Sequence, residues 1–177
     1  MLRQFTTSFP EFKIKSVLAD ALYGASDFMD EAETISNGAQ IVSQLRTNQI
    51  VASKNSKARV DIYFNRQQSV ELQLTIRGGE NKKVNIMAAR LYVNAHGKRR
   101  FVIALKYDGE ENYRYLIASN MSWHHHDIAR LYTLRWLVEV FIQDWKAHCG
   151  WNKLSKQQGV DGSEHGLILS LRELTAA

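Results

Sequence analysis

Residues 132–146 read YTLRWLVEVFIQDWK, and the spacing of their apolar residues is that of a helix rather than of a strand. The helical spacing covers about residues 127–149 and ends before Gly150. At about 100° per residue, four polar positions project within roughly 60° of arc: Tyr132, Arg135, Glu139 and Lys146. The sequence therefore predicts a long, largely packed helix with one narrow polar stripe. The alternative, an Arg135–Glu139 ion pair on a solvated face, explains that pair but not the alignment of all four residues.

A second informative stretch, VLADALYG, lies upstream at residues 17–24. It predicts a short buried strand over residues 14–19 that ends at Asp20, followed by a turn. Acidic residues then favour a helix over about residues 26–36, with Ser26 as its N-cap. The chain therefore opens with a strand and then a helix.

The middle of the chain is predicted to be a sheet. Apolar or alternating runs occur at residues 39–52, 60–64, 70–76, 84–93, 101–107 and 113–118. Turn signals separate several of them, at Gly78-Gly79, His96-Gly97 and Asp108-Gly109. The last two indicate hairpins, so we expect antiparallel pairing there. A short final helix is predicted at residues 167–174.

The composition excludes several classes of protein. With 45% hydrophobic residues and one proline in 177 residues, the chain can bury the core of one globular domain and is not a disordered protein. The single cysteine, Cys149, excludes an internal disulfide and a four-cysteine zinc site. The sequence contains neither a signal peptide nor an apolar run long enough to span a membrane. These features predict a cytoplasmic protein with no membrane partner.

Positive charge is concentrated in the middle of the chain. Residues 46–114 hold 14 Lys and Arg against 6 Asp and Glu, a balance of +8, whereas the whole chain has a net charge of +5. Interleaved tyrosines and Phe64 add stacking surfaces, which suits binding to nucleic acid. A solvated sheet with charged edges has the same composition. Charge alone leaves both interpretations open.

The spacing Tyr132-x2-Arg135-x3-Glu139-x6-Lys146 resembles the Y-R-E-K signature of bacterial DDE transposases of the insertion-sequence-four family. VLADALYG resembles the strand that carries the second catalytic aspartate of that family, which corresponds to Asp20. The two motifs occur in the same order as in the family. The resemblance covers residues 16–151.

The resemblance implies an α/β fold: a partial ribonuclease H-like core, interrupted by a largely antiparallel β insertion. Within a single unit of residues 1–177, it implies a core strand-helix-strand at 1–45, the basic insertion at 46–120 and a helical part of the core at 121–177. It also implies that Asp20 and Glu139 bind Mg²⁺, with Mn²⁺ as a substitute, for DNA cleavage and strand transfer. Tyr132, Arg135 and Lys146 would hold the DNA backbone. Further phosphate contacts are predicted at Arg46, Lys98, Arg99 and Arg100.

The first catalytic aspartate of a DDE site has no counterpart before Asp20, where Glu11 is the sole acidic residue. We therefore expect a carboxyl-terminal part of a transposase that binds metal weakly and is inactive alone. Its expected partners are double-stranded DNA at transposon ends, in the nucleoid, and a full-length transposase or an upstream transposase fragment. Two other hypotheses remain. The chain is a non-catalytic DNA-binding or inhibitory partner of a transposase, or it is a β-rich interaction protein with a coincidental stripe.

Overall fold

The computed structural model describes residues 2–54, 56–75 and 80–148, without the side chains of Trp136 and of residues 145–148. The helices are α1 (Leu2–Ser8), α2 (Ser26–Ile35), α3 (Val60–Phe64), α4 (His125–Thr133) and α5 (Trp136–His148). The strands are β1 (Ser16–Leu18), β2 (Gln40–Leu45), β3 (Ile50–Ala52), β4 (Lys57–Arg59), β5 (Val70–Thr75), β6 (Asn81–Val93), β7 (Lys98–Tyr107) and β8 (Arg114–Ala118). Short 3₁₀ turns occur at Ala21–Tyr23 and Asn94–His96.

The eight strands form one sheet in the order β1-β2-β8-β7-β6-β3-β4, and β5 also pairs with β6. Among the described strands, only β1 and β2 pair in parallel, with Leu18 opposite Val42, and the other pairs are antiparallel. The long strand β6 pairs with β5 through its first half and with β3 at its end. The α/β class is confirmed, because an eight-stranded, mostly antiparallel sheet with a few helices is consistent with a partial ribonuclease H-like fold.

Both faces of the sheet are buried at its central strands β2, β8 and β7. Side chains alternate along β7, so Val102 and Ala104 pack on one face while Ile103 and Leu105 pack on the other. The first face is covered by α2 and α3, through residues such as Met29, Ala32, Val60 and Phe64. The second is covered by α4, through Ile128, Ala129 and Tyr132.

Among the described residues, no helix is both long and apolar enough to cross a membrane.

Several predicted elements are confirmed. Strands occur at β1, β5, β6, β7 and β8, and α2 matches the helix predicted after Asp20. Hairpins join β6 to β7 and β7 to β8, where Gly97 and Gly109 adopt positive φ angles of 60° and 83° that glycine tolerates. The Gly78-Gly79 turn and the helix at 167–174 lie outside the described residues.

Two strand predictions are wrong. The segment Val60–Phe64 is a helix, because Val60 and Phe64, four positions apart, both bury in the core under the sheet. The run at 39–52 forms two strands, since Thr47 and Asn48 make a turn in which the Gln49 amide donates to the Arg46 carbonyl at 3.1 Å.

The N-cap of α2 is Ala25 instead of Ser26. Ser26 Oγ instead donates to the carbonyl of His96 at 3.2 Å and lies 3.3 Å from Asp30 Oδ2.

The single helix predicted over 127–149 is also wrong, because Leu134 and Arg135 form a turn between α4 and α5. Near the break, Thr133 Oγ1 donates to the carbonyl of Arg130 at 2.7 Å, a local bond that competes with continuation of the helix. The chain divides here into two compact units, Met1–Thr133 and Leu134–Ala177. The predicted stripe therefore does not run along one continuous helix.

Candidate catalytic site and nucleic-acid contacts

Asp20 lies at the carboxyl end of β1 and caps the 3₁₀ turn that follows. Its Oδ1 accepts a hydrogen bond of 2.6 Å from the amide of Ala21. Its carbonyl accepts bonds from the Tyr23 amide at 2.9 Å and from the buried Ser43 Oγ at 2.7 Å. The backbone of Asp20 is therefore anchored on β2, while its side chain is exposed to solvent.

Residues 20–24, here called the Asp20 loop, pack tightly on β2. A Cβ atom added at Gly24 would lie 2.4 Å from the carbonyl oxygen of Gln44, closer than real contacts allow. Any larger residue at position 24 must therefore push the loop away from the strand. The φ of Gly24 is −78°, which any residue can adopt. Glycine is therefore needed here for the close approach to β2 and not for its backbone conformation.

Arg46 lies at the same end of the parallel pair as Asp20. It follows β2 directly, as Asp20 follows β1, and parallel strands end at a common edge of the sheet. Its side chain is exposed and contributes to a cavity of about 350 Å³. The cavity is also lined by the Asp20 loop, the first turn of α2 and His96. The geometry thus places one predicted phosphate contact beside the Asp20 loop.

The predicted phosphate contacts at 98–100 have different environments. Lys98 and Arg100 are two positions apart and lie on the same face of β7, the face that meets α2. Both bind Asp30 there, with Lys98 Nζ 2.5 Å from Oδ2. Arg100 is only 2% exposed, and its Nε donates to His96 Nδ1 at 3.3 Å. Arg99 is exposed and donates to the carbonyl of Arg90 at 3.2 Å. Arg99 therefore faces solvent, whereas the buried Arg100 forms a partly buried ion pair with Asp30.

Two pKa values reflect this cluster. Partial burial by itself raises the pKa of Asp30, but hydrogen bonds and charge from Lys98 and Arg100 outweigh it, so the pKa lies below its ordinary 3.8. Burial lowers the pKa of His96 below 6.5, and the positive charge of Arg100 lowers it further. At neutral pH the cluster therefore contains an ionised Asp30 and a neutral His96.

The remaining predicted residues lie on α4, on α5 and in the turn between them. Tyr132 is 4% exposed and packs in the core under α4, in the first unit. Arg135 and Glu139 form an ion pair of 2.7 Å in the second unit, the i,i+4 contact considered from the sequence. Lys146 lies on α5, but its side chain is outside the described part of the chain. The approach of the Asp20 and Glu139 carboxylates stays a prediction, since the two residues belong to different units.

A scan against protein-family models matches residues 1–169 to the transposase DDE domain. The chain belongs to this family. The match covers most of its length, so the resemblance to DDE transposases seen in the two motifs is confirmed at the level of the domain. Transposases act on DNA, and DNA is therefore the substrate class that the family implies. A search of curated proteins found no match.

DDE transposase domains generally use divalent metal ions. Carboxylate oxygens are suitable ligands for such hard cations, and the exposed Asp20 carboxylate offers one. Within residues 2–54, 56–75 and 80–148, however, no three His, Cys, Asp or Glu side chains lie close enough together to hold a metal ion. The chemistry of the exposed Asp20 carboxylate therefore suits one ligand to such an ion.

Sequence reasoning missed the partners of the predicted residues. Alternation along β7 places Lys98 and Arg100 on one face. It does not show that α2 covers that face and presents Asp30. The sequence indicates His96 only as part of a turn, although it contacts the Asp20 loop through Gly24. A buried arginine requires an acidic partner, and this rule was the one available signal.

Proposed function

We propose that the chain supplies the second and third carboxylates, Asp20 and Glu139, of the catalytic site of a cut-and-paste transposase of the insertion-sequence-four family. The observation that carries this proposal is the exposed Asp20 carboxylate on an anchored loop at the carboxyl end of β1. The Y-R-E-K spacing supports Glu139, with Arg135 and Lys146 as DNA contacts. A role for Tyr132 toward DNA requires that its surroundings in the α4 core rearrange.

The first carboxylate is proposed to come from a segment outside the 177 residues. The position of β1 supports this, because it is the terminal strand of the sheet and pairs with β2 alone among the described strands. A further strand can therefore add beside β1 and bring an aspartate next to Asp20. The completed site would bind Mg²⁺, or Mn²⁺ in its place, and these ions supply activation of the attacking hydroxyl and stabilisation of the leaving oxygen.

The proposed division into a core part (1–45), a basic insertion (46–120) and a helical part (121–177) is compatible with one sheet. The insertion continues the core sheet because β8 pairs directly with β2. The basic segment is thereby fixed to the strand that anchors the Asp20 loop. We propose that it holds DNA near that loop, as expected for a nucleoid-associated, cytoplasmic protein.

DNA binding is tested by its dependence on salt. We expect the chain to bind duplex DNA of any sequence, with each neutralised phosphate contributing about −0.9 to the slope of log K against log salt. Replacing both Arg46 and Arg99 with Gln should make the slope shallower by about 1.8, because both side chains are exposed. Fluorescence anisotropy at several salt concentrations measures this slope.

The matched control for this experiment is Arg3→Gln, which removes an exposed arginine outside the basic segment. It should leave the slope unchanged. An unchanged slope in the Arg46/Arg99 double variant would remove both residues from the DNA interface. No binding at low salt would contradict the nucleic-acid role of the whole segment.

A further inference from the structure

The Asp20 loop has a second anchor besides β2, at the tip of the β6–β7 hairpin. The imidazole Nε2 of His96 lies 2.9 Å from the carbonyl oxygen of Gly24. His96 is 7% exposed and ends the 3₁₀ turn at the tip of the β6–β7 hairpin, 72 positions along the chain from Gly24. The hairpin therefore reaches the loop that carries Asp20.

The hydrogen bonds around His96 fix its tautomer. Arginine can only donate hydrogen bonds, so His96 Nδ1 must accept the bond from Arg100 Nε. The proton of the neutral ring is then on Nε2, which donates to Gly24. Because Asp30 holds Arg100 in turn, the orientation of the imidazole is set by a partly buried ion pair.

Two further contacts hold the same region together. Ser26 Oγ donates to the His96 carbonyl at 3.2 Å and is 3.3 Å from Asp30 Oδ2, which joins the hairpin tip to the first turn of α2. The loop cannot approach β2 any more closely, since Gly24 already meets Gln44. The loop is thus held by contacts with both β2 and His96.

We propose that His96 is a positioning residue for Asp20: by donating to Gly24 it fixes the turn that presents the Asp20 carboxylate. Arg100 and Asp30 act one step further away, by orienting His96. The functional meaning of this arrangement rests on the proposed role of Asp20 as a metal ligand. The arrangement itself is a property of the folded chain and can be measured without metal or DNA.

Hydrogen–deuterium exchange tests the proposal in the 177-residue protein. The amides of Tyr23 and Gly24 donate within the loop, to Asp20 and Ala21, and report whether its turn is formed. His96→Leu fills the buried site but has no donor, and it should speed exchange at these two amides by about tenfold. His96→Gln keeps a donor at the corresponding position and should exchange at nearly the wild-type rate.

Two references make the result specific. The exposed His124 provides the control His124→Ala, which should change neither amide. Exchange at Ile103, in the middle of β7, reports global opening and is used to correct for any general loss of stability. Equal corrected exchange at Tyr23 and Gly24 in His96→Leu and wild type would overturn the positioning role.

A measurement on the wild-type protein covers the case in which His96→Leu does not fold. The ¹⁵N chemical shifts of the His96 ring should show a neutral imidazole protonated at Nε2. Protonation at Nδ1 alone would contradict the proposal. Both measurements are independent of catalysis. A result that excludes Asp20 as a metal ligand would therefore leave the positioning role of His96 intact. A result that excludes the positioning role would likewise leave the proposed metal role of Asp20 intact.

Discussion

The isolated 177-residue protein is expected to cleave no DNA with Mg²⁺ or Mn²⁺, and to gain activity when an upstream DDE segment with the first aspartate is supplied in trans or fused to residue 1. Two carboxylates hold a metal ion poorly, because Mg²⁺ keeps its waters unless several oxygen ligands are well placed. In the complemented enzyme, Asp20→Asn and Glu139→Gln should each lower cleavage by at least about 10³-fold, since metal placement supplies several kcal/mol of transition-state stabilisation. Duplexes that tile the DNA flanking the gene serve as substrates, and strand cleavage is followed on denaturing gels.

Neighbouring acids provide the controls for this experiment. Asp27 is exposed in the first turn of α2 and Asp144 is exposed on α5, so Asp27→Asn and Asp144→Asn should keep activity within a few-fold of the complemented wild type. Activity of the isolated chain that survives Asp20→Asn would show that its cleavage chemistry uses other residues. Inhibition of an active full-length transposase, with no complementation, would instead favour the non-catalytic partner hypothesis.

The second large effect is expected on stability, at the ion pair between α2 and β7. Asp30→Ala leaves the cation of Arg100 buried without its carboxylate, and breaking such a pair costs about 3 kcal/mol of unfolding free energy. Fully buried pairs cost up to about 5 kcal/mol when they are broken. The smaller loss is expected here because the Asp30 side chain is 36% exposed. Urea denaturation followed by circular dichroism measures the change.

The adjacent residue on the same helix is the matched control. Glu31 pairs with Arg3, and both side chains are largely exposed, so Glu31→Ala should cost no more than about 1 kcal/mol. Because the pKa of Asp30 is lowered on folding, its contribution is present above pH 3.8 and is lost as the pH falls below that value. Equal losses in the two variants would contradict the importance of the buried pair.

The partners of Lys98 and Arg100 depend on tertiary packing, which a local sequence pattern does not specify. Alternation along β6, β7 and β8 and the glycine turns were sufficient to predict the antiparallel meander, because a period of two is a local property. Alternation also put Lys98 and Arg100 on one face. Whether that face meets water, DNA or α2 depends on tertiary packing, and here it meets Asp30.

The wrong elements were ambiguous for local reasons. The apolar pattern of a five-residue run such as Val60–Phe64 is compatible with a strand and with one turn of helix. In the structure it is a helix, which buries both Val60 and Phe64 on one face. The break after Thr133 contains neither glycine nor proline, so no sequence signal indicated it. The prediction that Asp20 lies at a strand end is confirmed. This prediction succeeds because the end of a strand and the turn that follows it depend on neighbouring residues in the sequence.

The most direct test of the proposed site is whether Asp20 and Glu139 bind the same ion. Mn²⁺ is titrated into the ¹⁵N-labelled 177-residue protein, and paramagnetic broadening of amide signals is recorded for wild type, Asp20→Asn and Glu139→Gln. Ligands of cations about 4 Å apart must lie close together. We predict that weakly bound Mn²⁺ broadens the signals around both residues in the wild type, and that either substitution removes both effects together. Broadening at one residue that persists when the other is replaced would contradict a shared site.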